Sequence, residues 1–572
     1  MNTPSRVALA MVLLLLVVFG LFRIAPIDVP QHLVLGRLMW EQGAPITTNA
    51  LSWTFPDHPN QQQYPLYQLA LYGLQTQLGW WSLSVFCGAS WTAAALAWLR
   101  WGGGVVAAQG FVFLWFVAVV GVQRHLVARP EVFTLLGLAL LLVAFEVWRT
   151  RRGPLPLVAM VVTLWGMVNT HQMYIVGVVL LFGFIVHVAA SRALAGRGWV
   201  DEADAGLPLG PLVATLGAAW CAVAISPLGV HAWTAPWALV TTIQSLGASS
   251  ASVAESAELQ PIWTDLPGFA ATLVLCLVVA VQGWRSRGRW QVIELGVLAM
   301  GFGMVAIALR GVPFFALAAA AVATRWGQRA RAPWLPADSV VPGAANLATA
   351  LLAGVLALTM VLPRPHVYLA RQQGLGRSVG EWGEAVTGFL RESPPPGEML
   401  NIGWVAANYL TYGVYPTRRV FVDGRWETYP KDFLNDSMLM QREPAVLDRM
   451  IATWDPGFVV AEMRLPQQQD QLARLVSKGW RVVYVDSIAA VAVVPSIAPE
   501  VTAYLGEHGA DPLGGPVPDW LPAHPILHAQ QQARVAGLYR RLGARAQADA
   551  LREAAAAHAD HPSVASDLAR FR

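Results

Sequence analysis

Residues 7–43 read VALAMVLLLLVVFGLFRIAPIDVPQHLVLGRLMWEQG, and how this stretch is read decides the fold. Val7–Ile24 is an apolar run whose single charge, Arg23, stands at its end. It is long for the core of a signal peptide and lacks a small-x-small cleavage pattern, so it reads as a retained transmembrane helix with a cytoplasmic N-terminus. Polar residues then appear at once: Asp28, His32 and Arg37. Asp28 and His32 are four apart and share a face if a helix starts early enough, and Pro30 suits its first turn. Leu33, Leu35, Leu38, Met39 and Trp40 give the segment helical character.

Outward from this stretch, residues 28–79 are too polar to span a bilayer and too apolar for a plain loop. APITTNALSWTFPDHP (residues 44–59) is rich in turn formers, and Asp57-His58 lies in its Pro-flanked turn, where turn chemistry explains both. YPLYQLALYGLQTQLGWW (residues 64–81) reads as a second amphipathic helix lying on the membrane.

The rest of the chain carries this membrane reading. The 572 residues are 55% hydrophobic and 13% charged, with mean hydropathy +0.46, whereas soluble domains carry about a quarter charged residues. The 25 Trp, many beside apolar runs, match an interfacial belt. Further apolar segments are Trp80–Leu99, Val105–Val122, Val132–Val147, Leu155–Val168, Met173–Ala190, Leu209–Ile225, Leu266–Gln282, Val292–Leu309, Val312–Thr324 and Leu347–Leu362. The expectation is an α-helical polytopic membrane protein with about 11 transmembrane helices. Arginines cluster at almost every second loop, at 149–152, 192–197, 285–289 and 325–331, which puts these loops in the cytoplasm. The C-terminal region, from Pro363 on, then lies outside the cytoplasm.

The same alternation gathers Asp28, His32, Arg37, His125, Arg129, Glu131, His171, His231, Glu255, Glu258 and Arg310 at one outer face. Helix interiors stay almost free of charge, with Glu146 and Glu294 near cytoplasmic ends. A transporter needs ionisable groups near the midplane, so chemistry or binding at the outer interface fits better. The net charge of +4, without a basic arm, gives no reason to expect nucleic acid. Cys87, Cys221 and Cys276 lie in apolar runs as small core residues, and no Cys/His cluster suggests a metal.

In order along the chain stand an acidic residue and His after the first helix, Gly36-Arg37, a Gly-x-Pro turn, SWTFPDHP (52–59) and an aromatic helix ending in Gly-Trp-Trp. HLVARPEVFTLL (125–136), LWGMVNTHQMYIVG (164–177), SPLGVHAW (226–233), LRGVPFFALA (309–318) and RRVFVDGRWETY (418–429) follow. This order resembles bacterial polytopic proteins related to the GT-C glycosyltransferases, over roughly residues 7–495. The resemblance implies a GT-C-like fold and a sugar donor linked to a polyprenyl phosphate or diphosphate. It also implies a catalytic carboxylate in the first outer loop, for which Asp28 is the candidate. Where some branches carry Asp-Glu, this chain has Ile27-Asp28. His32, Arg37, His125, Arg129, His171 and Arg310 are the candidates for binding the phosphate and positioning the substrate. Some lipid-diphosphate-dependent relatives use a divalent cation; the carboxylates here are too scattered in sequence to specify a site.

Each candidate has a plainer reading beside it. Asp28 suits a helix N-cap, His32 a hydrogen-bonded packing position, and Arg37 a side chain snorkelling to headgroups. Arg129-Pro130 suits a helix start, and His171 a helix end. Arg310, between two short helices where a bare loop needs no charge, favours a phosphate role most.

After Pro363, β-rich runs alternate with helical ones, which reads as a soluble α/β domain over 363–507 following a membrane domain over 1–362. Asp423-Gly424-Arg425 follows a strand; an Asx turn with an Arg pair is one reading, and a polar site facing the membrane domain the other. No phosphate-binding glycine motif follows a strand, so no nucleotide site is expected. Residues 508–572 read as a short helical, tetratricopeptide-like tail that must dock on the α/β domain or on a protein partner. The functional expectation is a membrane glycosyltransferase working with membrane lipid and a polyprenyl-phosphate-linked sugar. The alternatives are a non-catalytic scaffold for envelope glycan assembly or export and, third, a transporter.

Overall fold

The structure, a computed structural model, describes residues 3–61, 64–108, 110–197, 202–238, 241, 261–287, 289–329, 341–361, 374–378, 381–497 and 525–571. Glu255, Glu258, Arg331 and the expected domain boundaries near 362 and 507 lie outside the described residues.

Every apolar segment of the sequence folds as helix. The first part of the chain forms α1 (Thr3–Gly20), α2 (Val29–Gln42), α3 (Pro65–Leu78), α4 (Trp80–Trp101), α5 (Gly104–Ala108), α6 (Val112–Val122) and α7 (Glu131–Arg151). Then come α8 (Pro154–Val168), α9 (Tyr174–Ala193), α10 (Leu209–Val223), α11 (Leu266–Arg285), α12 (Val292–Ile307), α13 (Val312–Arg329) and α14 (Val341–Val361). The single helix expected over 105–122 is instead two, α5 and α6, parted at Gly110 where the chain makes a turn. By length and composition, 4 described helices can cross a membrane: α4, α7, α9 and α11. Shorter apolar helices of 10–17 residues lie within α1, α6, α8, α10, α12 and α14.

Helix α13 is the hub of the bundle. Its residues from Val312 to Trp326 are buried, and α4, α6, α11 and α12 pack on it. Its run of alanines lets neighbouring backbones approach closely, which is how apolar helices associate where lipid removes the hydrophobic drive. It extends past the expected end at Thr324, so Arg325 is a buried helix residue and not a loop residue. Burial is tolerated because its charge is matched. Arg325 Nε lies 2.7 Å from Glu294 Oε1, Nη2 lies 3.3 Å from Glu146, and Nη1 donates to the Trp101 carbonyl at 2.8 Å. Arg329 adds a second contact to Glu294 at 2.8 Å. Arg149 carries the network on from Glu146 (3.2 Å) to Asp204 (2.7 Å), which also meets His187 at 2.9 Å.

The later part begins with α15 (Glu384–Glu392), β1 (Met399–Asn401), α16 (Val405–Val414), α17 (Lys431–Leu439), α18 (Pro444–Trp454) and β2 (Phe458–Glu462). It continues with α19 (Pro466–Ser477), β3 (Arg481–Val485) and β4 (Ala489–Val493). The sheet order is β1-β2-β4-β3, with β1 parallel to β2 and the other pairs antiparallel. The tail helices α20 (Pro525–Arg541), α21 (Arg545–Ala556) and α22 (Pro562–Arg570) dock on the α/β part through α19. Gln469 donates to the Arg534 carbonyl at 3.1 Å, and Arg541 meets Asp470 at 2.5 Å.

The segment between α2 and α3 joins the two parts. Ser52 and Val420 form a parallel bridge, the Ser52 and Thr54 hydroxyls each donate to the Phe421 carbonyl at 2.9 Å, and Trp53 Nε1 donates to the Met399 carbonyl at 2.8 Å. The Phe55 ring sits 4.8 Å from Phe433 and 5.2 Å from Trp454, edge to face. A loop that sequence alone reads as membrane-surface turns is thus held in the aromatic core of the α/β part.

Candidate functional site

Three separate turns meet at the end of the bundle that carries α2 and α3. The first holds Asp28. It occupies the N-cap position of α2, yet its carboxylate makes no capping bond. Asp28 Oδ2 lies instead 2.8 Å from Arg129 Nε, with both side chains partly buried. The plain capping reading of Asp28 therefore describes its backbone position and not its side chain.

The second turn, residues 125–131, presents Arg129. Its Val127 carbonyl accepts from Cys87 Sγ (3.2 Å) and Trp91 Nε1 (3.5 Å), which anchors the turn on α4. Glu131 follows in the first turn of α7, where a negative charge suits the helix N-terminus. The third turn, Leu309–Gly311, presents Arg310, whose Nη2 lies 3.9 Å from Glu131 Oε2. Gly311 makes that turn: a Cβ there would collide with the Met304 carbonyl at the end of α12.

Between these charges lies a row of buried rings. His32 Nδ1 is 3.1 Å from Gln68 Nε2, and its ring meets Tyr64 and Tyr67 edge-on at 5.4 and 5.2 Å. Tyr64 in turn lies 6.1 Å from His171, whose Nδ1 is 2.7 Å from the Thr134 hydroxyl. The His171 turn is tied to α3 by the Leu66 amide, which donates to the Asn169 carbonyl at 3.0 Å. Burial lowers the His32 imidazole to about 4, with Asp28 opposing and Arg129 and Arg425 reinforcing the shift. Burial, with Arg310 and His32 adding to it, lowers His171 to about 3. Both imidazoles are neutral at neutral pH, so neither supplies positive charge.

The α/β part adds a fourth turn, 423–429. Asp423 accepts from the Arg425 backbone at 2.9 Å and meets the Arg425 guanidinium at 2.6 Å, so the Asx turn and the Arg pair are both present. Arg425 also donates to Asn49 (2.5 Å) and Asn60 (3.5 Å), and Asn49 donates to the Thr428 carbonyl at 3.3 Å. Glu427 is half-buried in this turn; burial, and after it the Glu427 carboxylate, raises the Tyr64 phenol.

Of the residues singled out from sequence, Asp28, His32, Arg129, His171 and Arg310 come together here. Arg37 does not: it is an exposed residue of α2 in an i,i+4 pair with Glu41 at 2.7 Å. His125 is buried in the turn after α6, four residues before Arg129. Tyr64, Gln68 and Thr134 were not singled out from the sequence, and Glu131 was placed only at the outer face. Periodicity carries no signal for them, because tertiary contact between distant turns places them. Among the described residues, no group of three or more His, Cys, Asp or Glu is arranged to hold a metal ion.

No family model and no curated protein matches the chain. Solved structures do. An oligosaccharyltransferase of Archaeoglobus fulgidus, tethered to an acceptor peptide, is 12% identical over 85% of this chain and 73% of that one, with TM-score 0.53. The same organism's AglB, in complex with an inhibitory peptide and a dolichol-phosphate, is 11% identical over 83% and 72%, with TM-score 0.55. The likeness is one of fold, and it agrees with the GT-C-like architecture that the sequence resemblance implied.

Proposed function

We propose that this chain is a membrane glycosyltransferase that moves a sugar from a polyprenyl-phosphate-linked donor to an acceptor at the periplasmic face of a bacterial inner membrane. The observation that carries the reading is the 2.8 Å contact of Asp28 with Arg129, beside Arg310 on Glu131, at one end of the bundle. Two guanidiniums at a membrane surface are suited to a lipid phosphate, since each offers forked donors that match its oxygens. Each is held by a carboxylate and is therefore pre-positioned.

In this mechanism the donor phosphate takes up Arg129 and Arg310, which stabilise the charge that grows as the sugar–phosphate bond breaks. Drawing Arg129 toward the phosphate frees Asp28 Oδ2 to accept the proton of the acceptor hydroxyl. The neutral, buried His32 and His171 hold Tyr64 and the turns in place. The dolichol-phosphate bound by AglB supports a lipid phosphate as the ligand class.

The test is turnover of labelled polyprenyl-phosphate sugars by the full chain in lipid. Release of polyprenyl phosphate with transfer of the sugar supports the reading. A protein that binds no donor and turns none over would move the assignment to the scaffold.

A further inference from the structure

Helix α7 runs between two charged ends of the bundle. Glu131, which faces Arg310, stands in its first turn, and Arg149 and Arg151 stand in its last, with Arg152 closing it. Its 21 residues rise about 30 Å, the thickness of a bilayer's hydrocarbon core. The C-terminal end of α7 and the Asp28 site are thus a bilayer apart. Three other helices end beside that C-terminus. Arg325 of α13 lies on Glu146 of α7 and donates to the Trp101 carbonyl at the end of α4. Arg289, just after α11, donates to the Arg329 carbonyl of α13 at 2.7 Å.

The carboxylates described at this end are engaged from within. Glu294, fully buried, holds Arg325 and Arg329. Glu146 holds Arg325 and Arg149, and Asp204 holds Arg149 and His187. Glu202 accepts from the Gly196 amide at 2.6 Å. Arg192 and Arg197 donate to backbone carbonyls. What is left on the outside is cationic. Arg100, Arg151, Arg152, Arg285 and Arg287 are exposed, and among the described residues they make no ion pair. Two of them are set in place by indole rings: Arg152 lies 5.6 Å over Trp148, and Arg287 lies 4.8 Å over Trp284. A guanidinium stacked by its flat face keeps its N–H edge open to an oxygen ligand.

We propose that this end of the bundle binds the headgroups of anionic phospholipids. The exposed guanidiniums ring apolar helix ends, which is the depth at which lipid phosphates lie. A phosphodiester offers two free oxygens to a forked donor. In an anionic lipid its charge is unanswered, whereas a zwitterionic lipid carries its own ammonium. The stacks on Trp148 and Trp284 add to the attraction, because a side chain already held by a ring loses less freedom when it takes a ligand. Trp284 is itself 69% exposed, so its ring also faces the lipid. This surface shares no residue with the Asp28 site, and it binds lipid whether or not the chain transfers a sugar.

The test uses the full chain in nanodiscs of phosphatidylcholine and phosphatidylglycerol in equal parts. Native mass spectrometry then reads which lipid stays on the protein. Wild type should retain phosphatidylglycerol over phosphatidylcholine, and the preference should shrink as salt rises. The double variants Arg151→Gln/Arg152→Gln and Arg285→Gln/Arg287→Gln, with unchanged melting curves, should lose about fivefold of it per arginine removed. Trp284→Leu, at an exposed position, should lose part of it. Arg37→Gln, at the Asp28 end and already matched by Glu41, should keep it. A wild type without preference overturns the proposal, and so does a preference that both double variants keep. An equal loss in Arg37→Gln also overturns it, since the preference then follows net charge and not this surface.

Discussion

Asp28 illustrates how little a residue's local position says about its work. It stands where a helix cap stands, and a capping carboxylate normally accepts from the first free amides of the helix. Here the carboxylate turns to Arg129 instead, a residue brought from another turn. Asp28→Asn keeps the shape and removes the charge. Turnover on a lipid-linked sugar should fall by about 100-fold or more, while affinity for polyprenyl phosphate, measured by direct binding, should not weaken. Full turnover in the variant would remove Asp28 from the chemistry. The two histidines make a separate prediction. His32 and His171 are neutral when folded but take a proton near 6.5 when unfolded, so between about 4 and 6.5 the unfolded state binds more protons. Their contribution to stability is complete above 6.5 and is lost as pH falls toward 4. The melting temperature should drop across this window, and His32→Gln should flatten the drop. A pH-independent melting curve would contradict the buried, neutral state of both rings.

At the scale of elements, α2 and α3 act as a single piece. Gly36 lets them touch: a Cβ there would collide with the Gln68 carbonyl and crowd Tyr72. Gln68 also carries the bond to His32, so the contact sets the ring row of the site. Gly36→Ala should force the helices apart at a cost of about 1–3 kcal/mol. It should also reduce donor turnover by more than the lost stability explains, because the His32–Gln68 contact would open. Retention of both stability and rate would show that the pair can slide without consequence. The turns obey the same logic. Arg129 and Arg310 sit on short irregular segments whose backbones are fixed by α4 and α12, and rigid support of this kind is what a charged site needs to hold its geometry.

The whole molecule is held at two distant places. At one end the 44–60 segment is clasped in the aromatic core of the α/β part, which brings the 423–429 turn to the bundle. At the other end Glu294 neutralises Arg325 and Arg329 and links α12 to the central α13. Removing one partner from a buried ionic network strands the others, at a cost of about 3–5 kcal/mol. Glu294→Gln should therefore lower the melting temperature sharply, while turnover per folded molecule at low temperature stays near wild type. A large loss of rate in fully folded variant would instead couple the two ends.

Apolar runs, tryptophan placement and the alternation of arginines already carry the helical bundle, and every apolar segment is indeed helix, because a chain in lipid must satisfy its backbone within itself. The change of composition after Pro363 likewise announces strands alternating with helices. Asp28, His32, Arg129, His171 and Arg310 were legible as candidates because charge beside apolar runs is costly and needs a reason. Their grouping was not legible, and neither were the paired duties of Arg325 and Glu294, the pairing of Arg37 with Glu41, or the hold of the 423–429 turn on Asn49 and Asn60. Those depend on which turns meet, and that is decided by side-chain packing between segments hundreds of residues apart, for which local sequence periodicity holds no record.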